Sequence, residues 1–232
     1  MLMQRPAAAR GHTQTAWLDS RHTFSFGHYH DPVWMGWGAL RVLNEDHVMP
    51  DAGFGEHGHA NMEILTWVLQ GALAHRDSTG ASGVIRPGEL QLMSAGHGIR
   101  HSEMNADARA PVHFLQIWLQ PDRSNRAPSY AQQGYAPLPL AQSWTVLAAP
   151  AAEAGAALPL HAAARVWAWR PSAGAQATHR LVAAQAWLQA ARGAVRANGL
   201  ALAAGDGLGL RDEAMLEISA EADSELLLFE LL

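Results

Sequence analysis

The sequence predicts an all-β protein built as two barrels in one chain. Three observations carry the prediction. Short runs rich in β-branched and aromatic residues recur along the chain, set apart by turn signals roughly every 8 to 12 residues. Both halves repeat one layout, a glycine-bearing turn, a strand, a Gly-Asp or Gly-Glu turn and another strand. Histidine is confined to one half: eleven of the 13 histidines precede residue 114, and only His161 and His179 follow. A duplicated barrel whose second copy has lost its histidines accounts for all three.

The elements follow in order. Glu63 to Leu69 is short, β-branched and aromatic, and stops before Gly71. Asp77-Ser-Thr-Gly80 is a turn cluster, and Val84-Ile85-Arg86 runs into the turn Pro87-Gly88-Glu89. Leu90 to Met93 is a strand. Ser94 to Gly98 is a glycine-bearing loop, and His113 to Gln120 closes the unit as a strand. Pro121 to Pro139 is polar and rich in Pro, Gln and Ser and reads as a linker. Beyond it, Arg165–Trp169, Ala186–Ala190, Gly193–Ala197, Leu208–Leu210 and Glu225–Leu231 are candidate strands, with Asn198-Gly199 as a hairpin turn. Ala149 to Ala156 reads as a short helix or loop. The expected domains are residues 1–122, a linker over 123–140, and residues 141–232.

The chain has 232 residues, of which 49% are hydrophobic, enough for a sizeable core. Its formal net charge is −5, and all 16 basic residues are Arg with no basic run, which argues against direct nucleic-acid binding. With no cysteine, disulfides, thiolate metal sites and thiol nucleophiles are excluded. No apolar run reaches the roughly 18 residues of a membrane span. A soluble cytoplasmic monomer is expected.

Two pairs carry the chemistry. His57-Gly58-His59 and, 42 residues beyond its second histidine, His101-Ser102-Glu103 each have i, i+2 spacing. On a strand both side chains of such a pair share a face, roughly 6.5 to 7 Å apart along the backbone. Two strands carrying them present three imidazoles and one carboxylate to a single point. That donor set suits a transition metal.

The runs Gly53–Gly71, His75–Ser78 and Pro87–Glu103, with His22-Thr-Phe-Ser-Phe26 and Tyr29-His-Asp-Pro32 upstream, resemble the pirin family of bicupins. The likeness is dense over the first half and looser toward Glu225–Phe229. It implies two cupin, jelly-roll-like barrels, the metal held only in the N-terminal one by His57, His59, His101 and Glu103. It also implies the activity of bacterial members, the opening of the C-ring of flavonols such as quercetin with O₂ and release of CO. The partners are then a small aromatic chelating substrate and O₂. Fe(II) is the metal this resemblance implies, and Mn, Co, Ni, Cu and Zn also suit the donors. Four protein ligands leave two positions of an octahedron open, and Glu103 is the candidate catalytic base. The alternative is an iron-containing, redox-sensing interaction protein or transcriptional coregulator of the pirin type, with a protein partner.

The remaining candidates rank lower. Glu63 sits where cupins at large place a carboxylate ligand; here it is read as a carboxylate that orients a ligating imidazole. His28 and His30 form another His-x-His, read as part of a rim loop. His97 and Ser102 are placed near the pocket mouth. His75 is assigned to the turn with Asp77 and Ser78. Gly58 replaces the proline usual in the family and is expected to loosen the ligand pair. Most of the nine tryptophans are assigned to the core.

Overall fold

The computed structural model describes residues 1–135, 137–155 and 157–232. Ala136 of the expected linker and Ala156 at the end of the alanine-rich stretch lie outside them. The architecture is all-β, as the alternation and turn spacing predict. The chain divides into two compact units, one made of Gly11–Gly134 with Leu160–Ala162, the other of Met1–Arg10, Tyr135–Pro159 and Ala163–Leu232.

In chain order the strands are β1 (Leu2–Arg5), β2 (Gly11–Gln14), β3 (Leu18–His22), β4 (Leu40–Val48), β5 (Gly53–His59), β6 (Glu63–Gln70), β7 (Leu73–Asp77), β8 (Ser82–Ile85), β9 (Glu89–Ser94), β10 (Ile99–Asn105), β11 (Val112–Leu119) and β12 (Ser129–Gly134). A short helix α1 (Pro137–Gln142) leads to β13 (Thr145–Pro150), β14 (Leu158–Leu160), β15 (Ala164–Trp169), β16 (Gln176–Arg180), β17 (Gln185–Arg192), β18 (Ala194–Ala197), β19 (Leu200–Ala203), β20 (Gly207–Arg211), β21 (Met215–Ala220) and β22 (Glu225–Leu231). Among the described residues no helix is long and apolar enough to cross a membrane.

The histidine-bearing unit pairs a seven-stranded sheet, β12-β9-β6-β11-β4-β3-β2, with a four-stranded sheet, β5-β10-β7-β8. The other unit repeats this: β1-β20-β17-β22-β15-β13-β14 and β16-β21-β18-β19. The four strands β4, β6, β9 and β11 and the whole four-stranded sheet correspond in chain order to β15, β17, β20, β22 and to β16, β18, β19, β21, so the duplication read from the turn pattern is present there; the outer strands match in place only.

Two boundaries differ from the expected domains. Ser129–Gly134 lies within the expected linker, yet it is the edge strand β12, paired with β9 over Ser129↔Ser94 to Gly134↔Glu89. The N-terminal Leu2–Arg5 pairs with β20 and belongs to the C-terminal unit. Both are edge strands with one solvated side, so their sequences are polar or mixed and lack the apolar alternation of a central strand.

Strand period explains the core. On β6, Ile64, Thr66 and Val68 share a face, and on β11 so do Phe114, Gln116 and Trp118. Val68 and Phe114 pack with Val48, Leu73, Ile85 and Val112, while Ile64 packs with Met93, Ala95 and Ile99. Each fully buried side chain of this kind contributes about 1.5–3 kcal/mol. The C-terminal unit has its own cluster, including Leu188, Leu208, Leu216, Ile218 and Leu228. Asn198 and Gly199 both take positive φ, 47° and 81°, as a two-residue hairpin between β18 and β19 requires.

Candidate metal centre

The two histidine-bearing pairs lie on neighbouring strands of one sheet. β5 and β10 run antiparallel, with His57 opposite His101 and His59 opposite Ile99. The register then slips, so that Glu103 faces Phe54. The extra residue is on β5, a bulge that bends the strand and leaves backbone groups out of the ladder. One of these is used at once: the Gly55 carbonyl lies 2.8 Å from His57 Nδ1. Gly53 permits the close approach, since a Cβ there would stand 2.2 Å from the Glu103 carbonyl oxygen.

His57, His59 and His101 bring one nitrogen each within 4.8 Å of one another. Glu103 does not complete that group. It forms a second one with His101 and His75, so His101 is common to both. Burial, with the neighbouring imidazoles adding to it, lowers the His101 pKa to about 3, and burial with His57 lowers that of His59 to about 4. Both imidazoles are therefore neutral near pH 7, the state that ligates a metal.

The hydrogen-bond network sets the tautomers. The Gly55 carbonyl only accepts, so His57 carries its proton on Nδ1 and leaves the Nε2 lone pair free. Asp77 Oδ2, 3.1 Å from His75 Nε2, assigns that nitrogen its proton and makes His75 Nδ1 an acceptor. The Gln91 amide, 3.4 Å away, and His101 Nδ1, 3.5 Å away, share its single lone pair. His101 thus also presents a bare Nε2, and it faces His57 Nε2 at 3.0 Å. Two lone pairs at that separation repel unless a cation lies between them. The donor set fits a divalent metal on this ground.

The facing sheet contributes a buried polar row. Its register aligns His22 with Asn44, Asn44 with Gln116, Gln116 with Thr66, and Thr66 with Gln91, across β3, β4, β11, β6 and β9. Gln116 Nε2 donates to both oxygens of Glu103 at 3.0 and 2.8 Å, and Thr66 Oγ1 donates to Gln116 Oε1 at 3.0 Å, which fixes the amide's orientation. Burial raises the Glu103 pKa, and the Gln116 amide opposes the rise.

A cavity of about 190 Å³ opens beside these groups. Phe26, Phe54 and Trp118 supply apolar walls, and His57, His59 and Glu103 lie at its polar end. Trp118 packs edge-on against His59 with ring centroids 4.9 Å apart. Of the nine tryptophans it is the one that lines this cavity; Trp67 and Trp187 are wholly buried in the cores.

Other sequence expectations fare differently. Glu63 accepts from Ser94 Oγ at 2.8 Å and from the His161 N–H at 3.2 Å; it orients none of the three clustered imidazoles, because the β6–β9 register turns it toward Ser94. The carboxylate that acts on a clustered imidazole is Asp77, through His75. His75 is accordingly on a strand and buried, not in the turn. His28 lies at the tip of a rim turn and borders the cavity, while exposed His30 does not. His97 is exposed and, like Ser102, does not line it. Gly58 has no left-handed backbone. In the C-terminal unit, β21 buries Leu216 and Ile218 in its core cluster, and no metal-ligand group occurs there among the described residues.

Fold and site together define a two-barrel β protein with a histidine-rich centre in one barrel. The family model described as Pirin matches residues 4–119, and that described as Quercetinase C-terminal cupin domain matches residues 146–231. The chain belongs to the pirin family, and its two units are cupin domains. It is 41% identical to quercetin 2,3-dioxygenase of Escherichia coli K12 over 100% of this chain and 99% of that one. It is 38% identical to a pirin-like protein of Caulobacter vibrioides, covering 99% of each. A crystal structure of the bacterial pirin YhhW from Escherichia coli in complex with nickel(II) superposes with a TM-score of 0.93 at 41% identity, over 100% of this chain and 99% of that one.

Proposed function

We propose that the chain is a metal-dependent dioxygenase that opens the C-ring of a flavonol such as quercetin with O₂ and releases CO. The observation that carries this reading is the convergence of three imidazoles, two of which line an aromatic-walled cavity together with Glu103. The names of full-length relatives as quercetin 2,3-dioxygenases support it. His57, His59, His101 and Glu103 would hold a divalent metal, with Fe(II) proposed as the working ion; nickel(II) is bound by a pirin of similar sequence. When bound, the metal supplies Lewis acidity toward the flavonol's 3-hydroxyl and 4-carbonyl and a route for electrons to O₂.

The chain's own residues do the rest. Glu103, whose proton affinity is raised by burial, takes the proton of the 3-hydroxyl as general base. Gln116 holds its carboxylate in place through both oxygens, and the Thr66 hydroxyl fixes the Gln116 amide. Phe26, Phe54 and Trp118 pack the flat ring system and exclude water from the flavonolate. Oxygen then adds across C2 and C4, the two bonds to C3 break, C3 leaves as CO, and both atoms of O₂ remain in the ester product.

The test is reconstitution of metal-free protein with Fe, Mn, Co, Ni, Cu and Zn separately. Aerobic loss of quercetin's visible absorbance and release of CO are then followed. One or more metals restores turnover on this reading, and a His101→Ala, Glu103→Ala double variant loses both metal and activity. Full activity in that variant, or no turnover with any metal, would refute it.

A further inference from the structure

On the wall of the cavity formed by β3 and β4 one polar atom is left over. Asp46 lies opposite Ser20 in the β3–β4 ladder, two residues along β4 from Asn44. It is 3% exposed and lines the cavity. The polar groups beside it are paired. His22 Nδ1 donates to Asn44 Oδ1 at 3.0 Å, and His22 Nε2 accepts from Thr13 Oγ1 at 2.8 Å. Ser20 hydrogen-bonds the Asp46 carboxyl. Asp46 Oδ1 has no hydrogen-bond partner. A buried polar atom without a partner is uncommon and costs stability, so it calls for a ligand.

We infer that Asp46 is a substrate-contacting specificity residue, whose carboxyl, left with one oxygen unpartnered, hydrogen-bonds a phenolic hydroxyl of the ligand other than the chelating 3-hydroxyl. This rests on the flavonol reading above for the ligand class. Thr13, Ser20, His22 and Asn44 hold the Asp46 wall in one arrangement. Burial, with the nearby Glu103 charge adding to it, pushes the Asp46 carboxyl up to about 7. Near neutral pH it is therefore able to donate to a phenol oxygen as well as to accept from a phenol O–H. A pocket built to bond a hydroxyl rejects the analogue lacking it far more strongly than an apolar pocket does.

The experiment compares quercetin with 3-hydroxyflavone, the same skeleton bearing only the chelating hydroxyl. Nickel(II)-loaded wild type, Asp46→Ala and Asp46→Asn are titrated calorimetrically without oxygen, and metal content is measured in each. The expected result is about tenfold weaker quercetin binding in Asp46→Ala, a change of less than about twofold for 3-hydroxyflavone, and unchanged metal content. Asp46→Asn, which keeps the volume and a hydrogen-bonding group, recovers most of the quercetin affinity. Equal losses for both ligands, or none for either, overturn the inference. Wild type that binds quercetin in an Asp46-dependent way yet never consumes it refutes the dioxygenase reading and leaves Asp46 in place. Turnover that is indifferent to Asp46 does the reverse, and wild type that binds neither flavonol overturns both.

Discussion

His75 Nδ1 lies 3.5 Å from His101 Nδ1, with Asp77 Oδ2 at 3.1 Å on the far side of the His75 ring. A carboxylate, an imidazole and a clustered imidazole thus form one buried chain. Tyr130 stacks on His75 with centroids 4.7 Å apart and fixes the plane of the middle ring. Such partners hold a ligating imidazole in one tautomer and orientation.

Replacing His75 by Phe keeps the stacked volume but removes the acceptor for His101. Metal affinity is expected to fall by about 10- to 100-fold, while far-ultraviolet circular dichroism stays unchanged. Competition with a chelator of known affinity reads the loss. An affinity equal to wild type would show that the His75 contact does not orient His101.

Gln116 is the main hydrogen-bond donor to Glu103. Its amide favours the carboxylate form, so its removal lets burial act unopposed. In Gln116→Leu the Glu103 pKa rises further. The acid limb of the kcat/KM profile for quercetin then moves to higher pH. An unmoved limb with a lower plateau would mean that Gln116 only packs.

Asp46 makes stability depend on pH in a stated direction. Its carboxyl rises from 3.8 to about 7 on folding, so between those values the folded state binds more protons than the unfolded state. The stability it supplies is complete below about pH 4 and is lost as pH climbs through 7, an effect of at most about 4 kcal/mol. Asp46→Asn lacks this dependence. Urea midpoints should therefore place the variant above wild type at pH 8 by more than at pH 5. The lowered His59 and His101 pKa values act oppositely, destabilising as pH falls below about 6.5, but they are common to both proteins and cancel in the difference.

Glycine at position 58 has no steric reason of its own. A Cβ there would meet nothing closer than 3.7 Å, the Ile99 carbonyl oxygen. Gly58→Ala is expected to stabilise by about 0.4–1 kcal/mol, through lost freedom of the unfolded chain, with metal content unchanged. Differential scanning calorimetry measures it; a lower midpoint would show that the β5 bulge needs glycine at this site.

The ligand pairs were legible because a strand has period two: His57 with His59, and His101 with Glu103, share a face whichever strands carry them. The duplication was legible because a Gly-Glu or Gly-Asp turn before a strand, Gly88-Glu89 and Gly205-Asp206, recurs in both halves. Glu63 misled, because its spacing from the His-x-His pair says nothing about which way the β6–β9 register turns it. β1 and β12 escaped notice because an edge strand needs no apolar stripe.

Local spacing and turn chemistry thus suffice for the all-β class, the two barrels and the four candidate ligands. Folding alone supplied the row from His22 to Gln91, the Asp77–His75–His101 chain, the grip of Gln116 on Glu103 and the unpaired oxygen of Asp46. These groups come from strands far apart in the chain. Their meeting depends on hydrogen-bond register between sheets' neighbouring strands and on one bulge in β5, and a one-residue slip in either would turn the side chains to the opposite face.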